Sequence, residues 1–231
     1  MRNILFLLLA AGPGLAQSPA DLSTRSPVPA GQPIAIGFLG AIEKWNDPQR
    51  SVRKLALDLR AQGIAAETFE NRHEKTAVEF LRRALDTNGD GRLDDRERAQ
   101  ARVILYGQSL GGEAAVHTAR DLRKLRIPVL LTVQIDSVGM HGGKIPSNVH
   151  EAINYYQHDP LTIQGRREIH AEDPARTRIL GNFERSYRGE APQNRQATWI
   201  RRTFGGSHAK MEMDLELWAE IRGLILDAVR K

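Results

Sequence analysis

The chain contains no cysteine among its 231 residues. That excludes a disulfide framework, a thiolate nucleophile and any Cys-ligated zinc. Aromatic residues are scarce, at 6%, and none is interleaved with the densest basic stretch, Arg120-Asp121-Leu122-Arg123-Lys124-Leu125-Arg126. An acid interrupts that stretch, so it reads as a solvated helix face and no nucleic-acid partner is expected, despite a net charge of +5. Apolar runs long enough to span a bilayer as a mature helix are also missing. What is present, 41% hydrophobic and 26% charged residues, fits one globular domain with a core that needs no covalent staples.

The first residues read as a targeting segment. Met1-Arg2-Asn3 is a short positive start, Ile4 to Ala11 is apolar, and Gly14-Leu15-Ala16 puts small residues where a signal peptidase reads. Residues 1–16 are therefore expected to be removed on export, leaving a periplasmic or secreted protein. A retained anchor is the alternative. With no second apolar stretch and no lipobox cysteine, no stable membrane anchor is expected after cleavage. Residues 17–32, rich in Ser, Pro and Ala, read as a flexible leader into a domain over residues 33–231.

From Pro33 onward, strand-like and helix-like segments alternate. Ile34 to Leu39 is a short apolar run of the kind that forms a buried parallel strand, and Ile64 to Phe69 is the next expected strand. Between them Val52, Leu55, Ala56 and Leu59 mark one helix face, with Asp47 as expected cap, Pro48 in the first turn and Gly63 at the end. Ala77, Phe80, Leu81, Ala84 and Leu85 follow helical spacing. Val103 to Tyr106 and Pro128 to Ile135 are expected strands around a helix from Leu110 to Leu125. A helix is expected near Val149 to Gln157, a last strand over Ala197 to Phe204 and a closing helix over Asp214 to Arg230. The alternation predicts an α/β fold: a mainly parallel central sheet with helices on both faces.

The strand Val103 to Tyr106 runs into Gly107-Gln108-Ser109-Leu110-Gly111-Gly112, a G-x-S-x-G pattern between strand and helix. The serine must sit on a tight turn so that its hydroxyl stands above the sheet, and Gly107 and Gly111 permit that turn. The helix that follows aims its free N–H groups at a developing oxyanion, with Leu110 N–H as one donor. A passive serine on a Gly-rich turn is the bland alternative.

On these residues the chain resembles the α/β-hydrolase superfamily, in particular compact bacterial esterases and lipase-like members. The resemblance covers roughly Pro33 to Lys231 as a pattern of elements and is specific around Gly107 to Gly112. It implies a triad in the order Ser, acid, His. His208, in Gly205-Gly206-Ser207-His208 between the last expected strand and the closing helix, is the implied base, with His141 as its rival. Asp136 ends the apolar strand Val129 to Ile135 and is the implied acid; otherwise it would cap the turn at Ser137-Val138-Gly139. The family more often carries the acid one strand later, but no Asp or Glu lies between Trp199 and His208. The second oxyanion donor is implied in the loop after the first strand, at the Leu39 or Gly40 N–H, although the His-Gly pair common there is absent.

A second motif lies between the helix over Lys75 to Leu85 and the Ser109 strand. Asp86-Thr87-Asn88-Gly89-Asp90-Gly91-Arg92-Leu93-Asp94-Asp95-Arg96-Glu97 fits D-x-[DN]-x-[DN]-G-x₅-E and resembles an EF-hand loop. The resemblance implies calcium held by Asp86, Asn88, Asp90, the Arg92 carbonyl, Asp94 and Glu97, with Gly91 at the sharp turn. Being single, with a short outgoing helix, it suggests a structural clip and not a sensor. An acidic Asx-rich turn without an ion is the alternative. The expected function is thus an exported serine hydrolase acting on carboxylic esters, lipid esters or thioesters included. The competing expectation is a non-catalytic calcium-binding extracytoplasmic protein on the same fold.

Overall fold

A computed structural model of the protein describes residues 22–160, 163–187 and 206–231. Six strands form one sheet: β1 (Ile34–Leu39), β2 (Ala65–Glu70), β3 (Val103–Gln108), β4 (Val129–Ile135), β6 (Val149–Tyr156) and β8 (Arg178–Glu184), in the order β2-β1-β3-β4-β6-β8. Every neighbouring pair runs parallel. Two short strands, β5 (Lys144–Ile145) and β7 (His170–Ala171), pair separately. The helices are α1 (Ser51–Ala61), α2 (Glu74–Leu85), α3 (Asp95–Gln100), α4 (Leu110–Lys124), α5 (Gly206–Met213) and α6 (Leu215–Ala228).

The sheet is wrapped on both faces, as its apolar strands require. Ile34, Ile36, Phe38, Val103 and Leu105 meet Phe80, Leu81, Ala115 and Ala119 of α2 and α4 on one side. On the other side Ala35, Leu39, Ile104 and Tyr106 meet Val52, Leu55, Leu59, Leu217 and Ile221 of α1 and α6. The α/β class expected from the sequence is therefore observed. The strand order reverses at β1, whose two neighbours are β2 and β3. Sheets of this type place their ligands at such a reversal, here the carboxyl ends of β1 and β3.

Several expectations change. The segment read as a helix near Val149 to Gln157 is strand β6. Val149, Ala152, Ile153 and Tyr155 are buried there because both of its faces are covered. Strand β8, half-exposed along much of its length, was not foreseen. Helix α1 starts at Ser51, and its N-cap Arg50 makes no side-chain cap bond. Asp47 instead accepts from the Gln49 N–H and the Arg50 guanidinium, both at 2.9 Å. Residues 22–32 lie against the domain: the Ser23 and Thr24 N–H groups donate to Glu67, and Val28 is buried. The expected signal segment and the strand over Ala197 to Phe204 lie outside the described residues. No helix among the described residues is long and apolar enough to cross a membrane.

Phe69 stands between Phe38 and Phe80, with ring centroids 6.2 and 6.1 Å away, and is fully buried. Phe69→Ala should lower unfolding free energy by about 3–5 kcal/mol in a urea titration, and Phe69→Leu by much less.

Candidate active site

Ser109 follows β3 immediately and serves as the N-cap of α4, with φ 57° and ψ −127°. A non-glycine residue there is strained, and such strain gathers at functional sites. The turn is closed by backbone contacts: the Ser109 N–H donates to Ile135 O at 2.9 Å, and Ser109 O accepts from Gly112 and Val138 at 3.1 and 3.2 Å. There is no room for side chains beside it. A Cβ on Gly107 would lie 2.2 Å from Gly111 O, and one on Gly111 would lie 2.0 Å from Phe38 O. Ser109 is thus fixed between β1 and β4. Leu110, next in the chain, opens α4, and its N–H has no carbonyl one turn back to bond.

Asp136 follows β4 with φ 44° and is completely buried. Its backbone N–H is tied to Tyr155 O at 2.7 Å. Its carboxylate accepts four hydrogen bonds. His208 Nδ1 lies 2.5 Å from Oδ2, and Gln157 Nε2 lies 3.0 Å from the same oxygen. The Gly165 and Gln157 N–H groups reach Oδ1 at 2.8 and 3.3 Å. A buried carboxylate needs such donors, because an unmatched charge there is very unfavourable. Gly165 is required for the approach, since a Cβ would sit 2.2 Å from Asp136 Oδ1.

His208 lies in the first turn of α5 with its side chain 19% exposed. Gln108 Nε2 donates to His208 O at 3.5 Å, which sets this helix beside the Ser109 turn. With Nδ1 given to Asp136, the other ring nitrogen is left to exchange a proton. His141, the rival base, is elsewhere. Its backbone N–H is held by Glu113, and its ring lies 6.2 Å from that of His117.

The loop after β1 is held on two sides. The Gly40 N–H donates to Glu43 Oε2 at 2.9 Å, so this expected oxyanion donor already has an acceptor. Leu39 is buried at the end of β1, paired with Glu70 of β2. Asn71 Nδ2 donates to Gly40 O and Ala41 O at 2.8 Å each. The roles of Gln157, Gly165, Glu43 and Asn71 are not visible in the sequence, where each is one polar or small residue in a loop.

The acidic loop joins α2 to α3, as a helix–loop–helix unit should. Its donors are hard oxygens and Gly91 takes φ 80°, both of which suit calcium. The oxygens, however, bond the loop's own backbone. Asp86 accepts from Gly89 and Gly91, Asn88 from Asp90, and Asp90 from Arg92. Asp94 accepts from Glu97 N–H, while Glu97 Oε2 accepts from Asp94 N–H, a reciprocal cap of α3. Glu97 Oε1 also accepts from Thr87 and Asn88. Burial pushes the Glu97 carboxyl up, but these donors outweigh it and hold it below the usual range. Among the described residues, no three His, Asp or Glu side chains are grouped as a metal would need.

Comparison with known proteins finds a crystal structure from Xanthomonas campestris pv. campestris, provisionally described as a hydrolase of the alpha/beta superfamily. It is 17% identical, with a TM-score of 0.41, and the match covers 84% of this chain and 99% of that one. No family model matches the chain. No curated protein matches it either.

The four-donor shell around Asp136 predicts a specific weakness. Gln157→Ala would remove one side-chain donor from a fully buried carboxylate. Its unfolding free energy should fall by about 1–3 kcal/mol, read by thermal or urea denaturation.

Proposed function

We propose that the protein is a serine hydrolase of the α/β-hydrolase type that cleaves carboxylic esters. The observation that carries this reading is a strained Ser109 turn at the end of β3 beside a buried Asp136 after the neighbouring β4 that holds His208 Nδ1, with the His208 carbonyl on Gln108, the residue before Ser109. In this reading Ser109 Oγ attacks the ester carbonyl and passes its proton to His208 Nε2. Asp136 keeps Nδ1–H of the ring bonded and balances the imidazolium. The tetrahedral oxyanion collapses, the C–O bond to the alcohol breaks, and His208 returns the proton to the leaving oxygen. Water then repeats the cycle on the acyl-serine and releases the acid.

Leu110 N–H is one oxyanion donor in this scheme. The second is Ala41 N–H, in place of Gly40 or Leu39. Asn71 follows β2 and draws the Gly40 carbonyl to its own side. A trans peptide points its N–H opposite to its C=O. Ala41 N–H would accordingly turn towards the β3 side, where Ser109 stands, and no hydrogen bond among the described residues engages it.

Turnover of a short-chain p-nitrophenyl ester tests the reading. Ser109→Ala and His208→Ala should each lower kcat by about 10³-fold or more while the protein stays folded. Asn71→Ala should lower kcat by about 10- to 100-fold with little change in KM, the signature of an oxyanion donor displaced. A folded protein with no turnover, and no covalent labelling by a fluorophosphonate, would overturn the reading in favour of a binding protein.

Export and calcium belong to the same proposal. Removal of residues 1–16 should leave Gln17 as the first residue of the protein recovered outside the cytoplasm. To hold calcium, the side chains of Asp86, Asn88, Asp90, Asp94 and Glu97 and the Arg92 carbonyl would have to turn inwards from the loop N–H groups that the side chains bond here, and the ion would then tie α2 to the segment that leads into β3. Millimolar calcium should raise Tm relative to chelator by several degrees, and Asp90→Ala should abolish the rise. An unchanged Tm would exclude the ion.

A further inference from the structure

Three carboxylates converge on one guanidinium beside the candidate site. Arg50, the residue before α1, bonds Glu43 through Nη1 and Asp47 through Nε at 2.9 Å. The same Nη1 lies 3.4 and 3.3 Å from the two carboxylate oxygens of Glu212. The groups are largely withdrawn from water: side-chain exposure is 16% for Arg50, 14% for Glu43 and 3% for Glu212. Burial alone would draw the Arg50 charge down. Glu43, Glu212 and Asp47 outweigh it, so the guanidinium is held more firmly protonated than usual.

Glu43 uses its other oxygen to hold the Gly40 N–H at 2.9 Å. A Cβ on Gly40 would lie 3.3 Å from both that oxygen and Ser109 Cβ, so this loop touches the candidate nucleophile. Glu212 is four residues after His208 on α5, one turn along the same helix face. Its backbone carbonyl is also fixed by Ser51 Oγ at 2.6 Å, again from the start of α1. A buried ionic cluster is a poor source of stability, because desolvation offsets the attraction, but it fixes geometry.

We propose that Arg50 is a positioning residue. It cross-links the loop after β1 to the helix that carries His208, so that the donor loop and the base keep one register against Ser109. The functional consequence rests on the hydrolase reading; the cross-link itself does not.

Amide hydrogen exchange on the full mature protein tests it. Glu43→Gln keeps an oxygen for Gly40 but loses its charge towards Arg50, and Glu212→Gln is likewise isosteric. Each should speed exchange in both segments, residues 40–43 and 206–213. Loosening confined to the substituted segment would overturn the proposal. In ester turnover, Arg50→Met should lower kcat by about 10- to 100-fold with KM within about threefold. Adding Glu212→Gln should recover part of the Tm by removing a buried negative charge that has lost Arg50, yet leave kcat low. Recovery of kcat together with Tm would make Arg50 merely structural and overturn the proposal. Exchange coupling in a protein that turns over no ester would uphold the cross-link and remove the hydrolase reading instead.

Discussion

The chain must leave β3 and enter α4 within a single residue, and the rest of the site depends on how that turn is closed. Gly107 and Gly111 approach within the space of a missing Cβ, and Gly111 lies as closely against the backbone of β1. The Ser109 backbone is bonded to Ile135 at the end of β4 and to Val138 beyond it. One tight turn therefore sets three strand ends relative to each other. The turn also lies at the reversal of strand order beside β1, where sheets of this type place their ligands. A looser turn would detach the serine from its neighbours on both sides.

Around that turn the buried polar groups are arranged in closed sets. The Asp136 carboxylate has two donors on the segment after β6, one on the chain before β7 and one on α5. Arg50 gathers acids from the loop after β1 and from α5. Helix α5 is thus held twice, by its first turn through His208 and by its last through Glu212. Met211 and Met213 add apolar anchors beside these two polar ones.

The parts legible in the sequence were those with local causes. Strands β1, β3 and β4 are short, largely apolar runs beside Gly or Pro, and α2, α4 and α6 carry clear stripes. The turn at Ser109 was readable because glycine spacing and strand–helix context coincide. Strand β6 was misread because Val149, Ala152, Ile153 and Tyr156 also fit a helical spacing, and covering both faces of a strand removes its alternation. Strand β8, at the sheet edge with Gly181 in its middle, gave no pattern. Asp47 looked like a helix cap because Pro48 follows, whereas its side chain serves Arg50 and a local turn. Gln157, Gly165, Glu43, Asn71 and Glu212 were invisible, since each acts on a group distant in sequence or through its backbone.

The proposed mechanism requires Ser109 to stand within reach of two backbone donors and of a histidine oriented by Asp136. A crystal structure of the mature protein treated with a fluorophosphonate tests that requirement most directly. The expected result is phosphorus bonded to Ser109 Oγ, its oxygen on the Leu110 and Ala41 N–H groups, and His208 Nε2 facing the serine. An unmodified Ser109 in a folded crystal, or an adduct with His208 turned away and its oxygen in solvent, would contradict it.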